Sequence, residues 1–183
     1  MTTTWLVSDT HFGHEGVCKF LAKDGVSKLR PFNHPDEMDE FMVAAWNAKV
    51  KPNDKVYHLG DVVMRKQALQ IMHRLNGDKV LIKGNHDIFS LDVYAAHFRD
   101  IRAVHKLDGI VLTHIPLHVE SLGRYGVNVH GHLHDREVMV SPHHVDSRYL
   151  CVCVEQTEFA PISLEEVRTR IKNRNPTAAM AKR

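Results

Sequence analysis

Five short polar clusters have the residue types for metal chemistry, and each follows an apolar run. In chain order they are Asp9-Thr10-His11, Gly60-Asp61, Gly84-Asn85-His86-Asp87, His114 and Gly131-His132-Leu133-His134. In an extended strand end, residues i and i+2 point to the same side. Asp9 with His11, and His132 with His134, can then each offer a pair of ligand atoms to one cation. Asn85 offers a neutral oxygen. His86, its neighbour, points elsewhere and is free for a substrate, and Asp87 is placed to orient that imidazole. Taken singly, Asp-x-His is a chance occurrence and Gly-Asp a strand-ending turn. Taken together they are a ligand set of two carboxylates, one amide and four imidazoles. That is too many for one tetrahedral ion and suits two ions that share an aspartate. Oxygen and imidazole ligands without thiolate fit manganese, iron, zinc or nickel. Burying so many polar groups at strand ends without a metal would be costly.

The elements that must position these clusters can be read from periodicity. Strands are expected at 5–8, 55–59 and 80–83, just before the first three clusters. A helix is expected over 36–50, where Met38, Phe41, Met42, Ala45 and Trp46 follow helical spacing and Asp36 and Glu37 suit its first turn. A second helix is expected over 65–75, ended by Asn76-Gly77-Asp78. The later half reads as strands: 101–107 and 110–113 around the turn Asp108-Gly109, then 127–130, 137–140 and 149–154. A last helix over 163–174 opens on Ser163-Leu164-Glu165-Glu166, a capping box. Alternating strands and helices followed by β-rich sequence give an α/β class of packed sheet with outer helices.

Composition narrows the function classes. The chain has 183 residues with 43% apolar and 25% charged, which fits a folded globular protein of one domain, at roughly 100–200 residues per domain. Residues 1–174 are expected to form that domain and 175–183 a frayed basic tail. No stretch approaches the ~20 apolar residues that span a bilayer. The first residues lack a basic segment leading into an apolar one, and the three cysteines are an odd number, so a cytoplasmic protein with free thiols is expected. A net charge of +2 argues only weakly for a nucleic-acid partner. The 15 histidines are the unusual count. Cys151 and Cys153 share a strand face and read as buried small hydrophobes. His58 and His130 sit inside apolar runs.

As a set, the clusters from Asp9 to His134 resemble those of the calcineurin-like metallophosphoesterases. The opening Ser8-Asp9-Thr10-His11-Phe12-Gly13-His14 is similar to a compact bacterial and phage subgroup. The resemblance covers roughly residues 5–155. It implies a four-layer αββα sandwich, two mixed sheets flanked by helices. It implies one ion held by Asp9, His11, Asp61 and His134, and a second held by Asp61, Asn85, His114 and His132, with manganese the leading candidate. His86 would then act on the substrate, either protonating the leaving oxygen or stabilising charge there, with Asp87 behind it. Candidates for a phosphate contact are His14, Arg30 and Arg65, and His118 is a candidate to sit behind the ligands. With 183 residues, no cap domain of the kind larger relatives carry is expected. An open pocket suits a phosphodiester of a small or nucleotide-like substrate. A phosphomonoesterase, a nuclease and a non-catalytic scaffold are the alternatives. Oligomeric state is not legible.

Overall fold

A computed structural model describes residues 2–174, apart from the side chain of Arg124. The expected tail at 175–183 lies outside the described residues. Among the described residues there are eleven strands and three α-helices: β1 (Thr4–Val7), α1 (Pro35–Lys49), β2 (Lys55–His58), β3 (Asp78–Ile82), α2 (Leu91–Ala95), β4 (Asp100–Arg102), β5 (His105–Leu107), β6 (Ile110–Leu112), β7 (Val127–His130), β8 (Met139–Ser141), β9 (His144–Val145), β10 (Tyr149–Cys151), β11 (Ile162–Ser163) and α3 (Leu164–Arg174).

Two mixed sheets form the centre. The first runs β11-β1-β2-β3-β4 and the second β10-β7-β6-β5. In the first, β1 to β4 are parallel and β11 is antiparallel. In the second, β6, β7 and β10 are parallel and β5 is antiparallel. Leu6, Tyr57, Leu59, Val80 and Ile82 of the first sheet meet Ile110, Leu112, Val127, Val129 and Leu150 of the second in one buried cluster. That cluster also takes Val167 and Ile171, the apolar stripe of α3. The other face of the first sheet, including Val7, Val56 and Leu81, is covered by Met38, Met42, Val43 and Trp46 of α1 and by Leu69 and Met72. The result is the expected sandwich of two mixed sheets. The outer face of the second sheet differs in its cover: Val111 and Tyr149 pack under Leu122, beside short 3-10 turns at 119–121 and 123–125 rather than a long helix.

Local chemistry explains the helix ends. Pro35 opens α1 with no amide to waste, and the His34 Nδ1 caps it by accepting the Asp36 N–H. Ser163 Oγ accepts the Glu166 N–H at 3.1 Å, the cap expected from the sequence. The segment expected as a helix over 65–75 is instead 3-10, over Lys66–Arg74. Its tighter winding aligns residues three apart, so Leu69 and Met72 point the same way and both are buried. The run 101–107 is not one strand. It breaks after Arg102, leaving β4 on the edge of the first sheet and β5 on the edge of the second, so the chain changes sheets inside it. The strand expected at 137–140 forms one residue or two later and pairs only with β9. No helix among the described residues is long and apolar enough to cross a membrane.

One buried acid in α1 gives a pH prediction. Both oxygens of Asp39 accept the Gly13 N–H, at 2.9 and 3.2 Å, with the side chain 6% exposed. Burial pushes its carboxyl up to about 7, against the Gly13 hydrogen bond and the Arg30 charge and with Asp36 and Glu40 adding to the rise. A raised value means the folded state favours the neutral acid. The stability this gives is complete below the ordinary value of 3.8 and is lost as pH rises through about 7. An asparagine in its place would keep the acceptor oxygen without the charge. Asp39→Asn is therefore expected to raise stability at pH 8 on the order of 1 kcal/mol, roughly 2–4 °C in Tm for this size, and to change little at pH 4. Thermal unfolding at the two pH values checks it; an equal shift at both would contradict the assignment.

Candidate metal centre

Parallel strands put their C-terminal ends on one edge, and the five clusters leave from those ends. Asp9 follows β1, Asp61 follows β2 and Asn85 follows β3, all in the first sheet. His114 follows β6, and His132 and His134 follow β7, in the second. The two edges meet. His132 N–H donates to Asp9 Oδ2 at 2.9 Å, and Ser8 and Cys153 form a parallel bridge between the ends of β1 and the segment after β10. Gly131 permits that approach, and Gly84 permits a close approach between the loops after β2 and β3 within the first sheet. A Cβ on Gly84 would collide with Asp61 Oδ1 and the Asp61 N–H, and one on Gly131 would collide with Ser8 Oγ and Asp9 Oδ2.

Two groups of ligand atoms result. Asp9, His11 and His134 form one, and Asp61, His114 and His132 the other, with the atoms of each group all within 4.8 Å of one another. In the first, Asp9 Oδ1 lies 3.7 Å from His11 Nε2 and 3.9 Å from His134 Nε2. Asp61 Oδ2 lies 3.4 Å from His114 Nε2 in its own group and 3.7 Å from His11 Nε2 in the other, so it faces both. Asn85 Oδ1 is 2.8 Å from His114 Nε2, at the same place.

The backbone here is not extended, as the i, i+2 argument supposes. Asp9, His11, Asp61, His132 and His134 all have φ between 49° and 69°. They are five of the eight described non-glycine residues with positive φ. Each such residue costs about 1–2 kcal/mol. Three of the five clusters, those of Asp9, Asp61 and His132, turn left-handed past their strand ends, and such strain gathers where surroundings over-determine it.

The surroundings leave the right atoms free for a cation. Ser8 Oγ–H, the His132 N–H and the Cys153 thiol all donate to Asp9 Oδ2, at 2.6, 2.9 and 3.1 Å. Asp9 Oδ1, fully buried, has no hydrogen-bond partner. A buried carboxylate oxygen without a donor, between two imidazole nitrogens too distant to bond it, fits a metal ion. His114 Nδ1 lies 2.7 Å from the Leu59 carbonyl, and His134 Nδ1 lies 3.0 Å from Glu155 Oε1. Those acceptors take an N–H at Nδ1, which turns each Nε2 toward the centre, where it becomes a ligand atom once its proton is displaced. Charge follows the same layout. Burial pushes the Asp9 carboxyl up, but the His11, His114 and His134 imidazoles more than reverse this and hold it well below the usual carboxylate range. Burial likewise opposes the ionised form of Asp61, and His114 outweighs it. Burial pushes the Cys153 thiol up, as a protonated donor beneath Asp9 requires.

The remaining candidates separate by position. His86 is exposed, its ring meeting that of His11 edge-on at 5.7 Å between centroids, and its backbone N–H donates to Asp61 Oδ1 at 2.8 Å. The sequence places Asp87 to orient the His86 imidazole, but its side chain instead faces backbone amides. Its two oxygens accept the N–H groups of Asp61, Val62 and Gly84 at 2.8–3.0 Å, so it braces the loops that carry Asp61 and Asn85. His14 is half-buried, its ring 5.6 Å from His11 and 5.7 Å from Phe20. Arg65 is exposed where the 3-10 segment begins. Arg30 is 0% exposed and turns inward, with Glu155 and backbone carbonyls on its donors, so it is no surface cation for phosphate. His118 caps the 3-10 turn at 119–121 and is not behind the ligands. His58 sits under the centre, stacked on Trp46 and 3.0 Å from Thr10 Oγ1, and burial pulls its imidazole down to about 3. Glu155 and the Cys153 contact escaped the sequence reading, because neither lies near a motif in the chain.

The chain is 30% identical over 173 residues to the uncharacterized protein MJ1445 of Methanocaldococcus jannaschii, covering 90% of this chain and 89% of that one. It is 35% identical over 95 residues to the Gene 66 protein of Mycobacterium phage L5, covering 48% of this chain and 41% of that one. Among solved structures, the protein of unknown function AQ665 from Aquifex aeolicus superposes with a TM-score of 0.65 at 22% identity, over 92% of this chain and 99% of that one, which shows a shared fold. A family model for calcineurin-like phosphoesterase matches residues 2–167. That match runs through all the clusters gathered at the sheet edges, and the chain belongs to the calcineurin-like phosphoesterase family, whose members hydrolyse phosphoesters with divalent metals.

Proposed function

We propose that the protein is a two-metal phosphodiesterase acting on a small or nucleotide-like phosphodiester. The observation that carries the reading is the pair of ligand groups joined through Asp61 Oδ2, with the exposed ring of His86 beside them. In this reading Asp9, His11, Asp61 and His134 hold one ion, and Asp61, Asn85, His114 and His132 hold the other, manganese being the favoured metal. When bound, such ions supply Lewis acidity that neutralises phosphoryl oxygens and acidifies water. The chain does the rest. Leu59 and Glu155 hold the His114 and His134 rings with Nε2 toward the centre. Asp87 holds the loops of Asp61 and Asn85 in place. His86, on the solvent side, serves the leaving oxygen, by giving it a proton or by stabilising its charge.

Two features favour a diester. Asn85 and His86 are both exposed, which leaves room for a second ester group. Arg30, a cation that could have met the second charge of a monoester, is engaged in the interior. Exposed Phe20 beside His14, and exposed Ile88 and Ile115 close after His86 and His114, offer apolar surface for an organic group such as a nucleobase. The test is hydrolysis of bis-p-nitrophenyl phosphate beside p-nitrophenyl phosphate, after manganese loading and after chelation. Chelator-sensitive turnover with the diester at least ~10-fold faster is expected, about 1.4 kcal/mol in the barrier. A faster monoester would overturn the diester assignment.

A further inference from the structure

Two buried charged residues, distant in sequence and outside every motif, converge on one half of the centre. Arg30 and Glu155 are 125 residues apart and are 0% and 3% exposed at their side chains. Arg30 Nε and Nη2 lie 2.8 and 2.7 Å from Glu155 Oε1. The same guanidinium donates from Nη2 to the Asp9 carbonyl at 2.5 Å and from Nη1 to the Thr10 carbonyl at 2.8 Å. Glu155 Oε1 also accepts from His134 Nδ1 at 3.0 Å. One ion pair thus fixes the His134 ring and pins the carbonyls on both peptide units between Asp9 and His11. These are the residues whose left-handed backbone needs support, with φ of 58° at Asp9, 49° at His11 and 54° at His134. Every ligand reached by these contacts belongs to the Asp9–His11–His134 group. The other group has separate supports, the Leu59 carbonyl on His114 and Asp87 on the Asp61 loop.

We propose that Arg30 and Glu155 are positioning residues for the Asp9–His11–His134 half alone, and so set its cation affinity separately from the Asp61–His114–His132 half. This rests on the two-ion reading above. A carboxylate on the far nitrogen of a ligand imidazole orients the ring and makes its other nitrogen a better donor, and losing such a partner typically weakens metal binding about 10–100-fold.

The experiment is manganese binding by equilibrium dialysis, with the electron paramagnetic resonance signal of coupled ions followed in parallel. Wild type should take two ions per chain. Glu155→Gln keeps size but loses charge, and should retain one ion near wild-type affinity, bind the other about 10–100-fold more weakly, and lose the coupled signal at limiting metal. Because that variant strands a buried guanidinium, the double variant Arg30→Met, Glu155→Leu is measured beside it; it removes both charges and should show the same split. A role limited to holding the fold would weaken both ions together. Equal weakening, or two ions bound undiminished by the folded double variant, overturns the proposal while leaving the two-ion reading intact. A single ion on wild type overturns both.

Discussion

Asp61→Asn should strip the cations from both halves of the centre and lower kcat/KM by at least ~10³-fold, about 4 kcal/mol in transition-state stabilisation. The argument is one of orientation. Asp61 Oδ1 is held by the His86 N–H at 2.8 Å, which leaves Oδ2 facing His11 at 3.7 Å and His114 at 3.4 Å. Asparagine has one oxygen, and the His86 N–H claims it. The amide NH2 must then occupy the Oδ2 position and point its hydrogens at the place where both groups need a lone pair. Volume hardly changes, so the fold should survive. Metal content after dialysis, read by atomic emission, should fall below one ion per chain. A variant that kept two ions at wild-type affinity would show that Asp61 is not shared between them.

His86→Ala should separate binding from turnover. The backbone N–H that holds Asp61 remains in alanine, and the exposed ring is lost. Both ions should stay bound while kcat falls about 10²–10⁴-fold, the range for losing a placed acid or base. The leaving group refines the test. If the imidazole gives the leaving oxygen its proton, the deficit should be larger for a diester that expels an alkoxide than for one that expels p-nitrophenolate, which needs little help. A uniform deficit would place the ring's contribution away from the leaving oxygen. Loss of an ion from this variant would make His86 a ligand.

Much of this arrangement is legible in the chain because strand ends announce themselves. Apolar runs stop at glycine or at residues that strands avoid, and the runs before Asp9, Asp61, Asn85 and His132 do so, while the run before His114 passes through Thr113 without such a mark. Sheet order and the meeting of the two edges are not written locally. Nothing in 101–107 marks the passage from one sheet to the other, since β4 and β5 are both half-buried edge strands. The shared side of Asp9 and His11 follows from the spacing, but through left-handed turns that spacing does not encode. Asp87 reads as a partner for His86 by adjacency, whereas three backbone amides from two loops claim it. Arg30 reads as a candidate phosphate contact because its actual partner, Glu155, lies far along the chain.

The division of ligands between the sheets has a mechanical consequence. Each group takes members from both: Asp9 and His11 with His134, and Asp61 with His114 and His132. Asp9 and His132 stand 123 residues apart in sequence. A cation in the Asp9–His11–His134 group is therefore a removable cross-link that closes most of the chain into a loop, one in the other group closes a shorter loop, and the entropy of closing either grows only slowly with loop length. Its binding energy adds to the union of the two sheets rather than to either one, and neither half of the chain alone carries a complete group. A chelator then acts as a reducing agent does on a long-range disulfide, loosening the whole molecule by releasing one point.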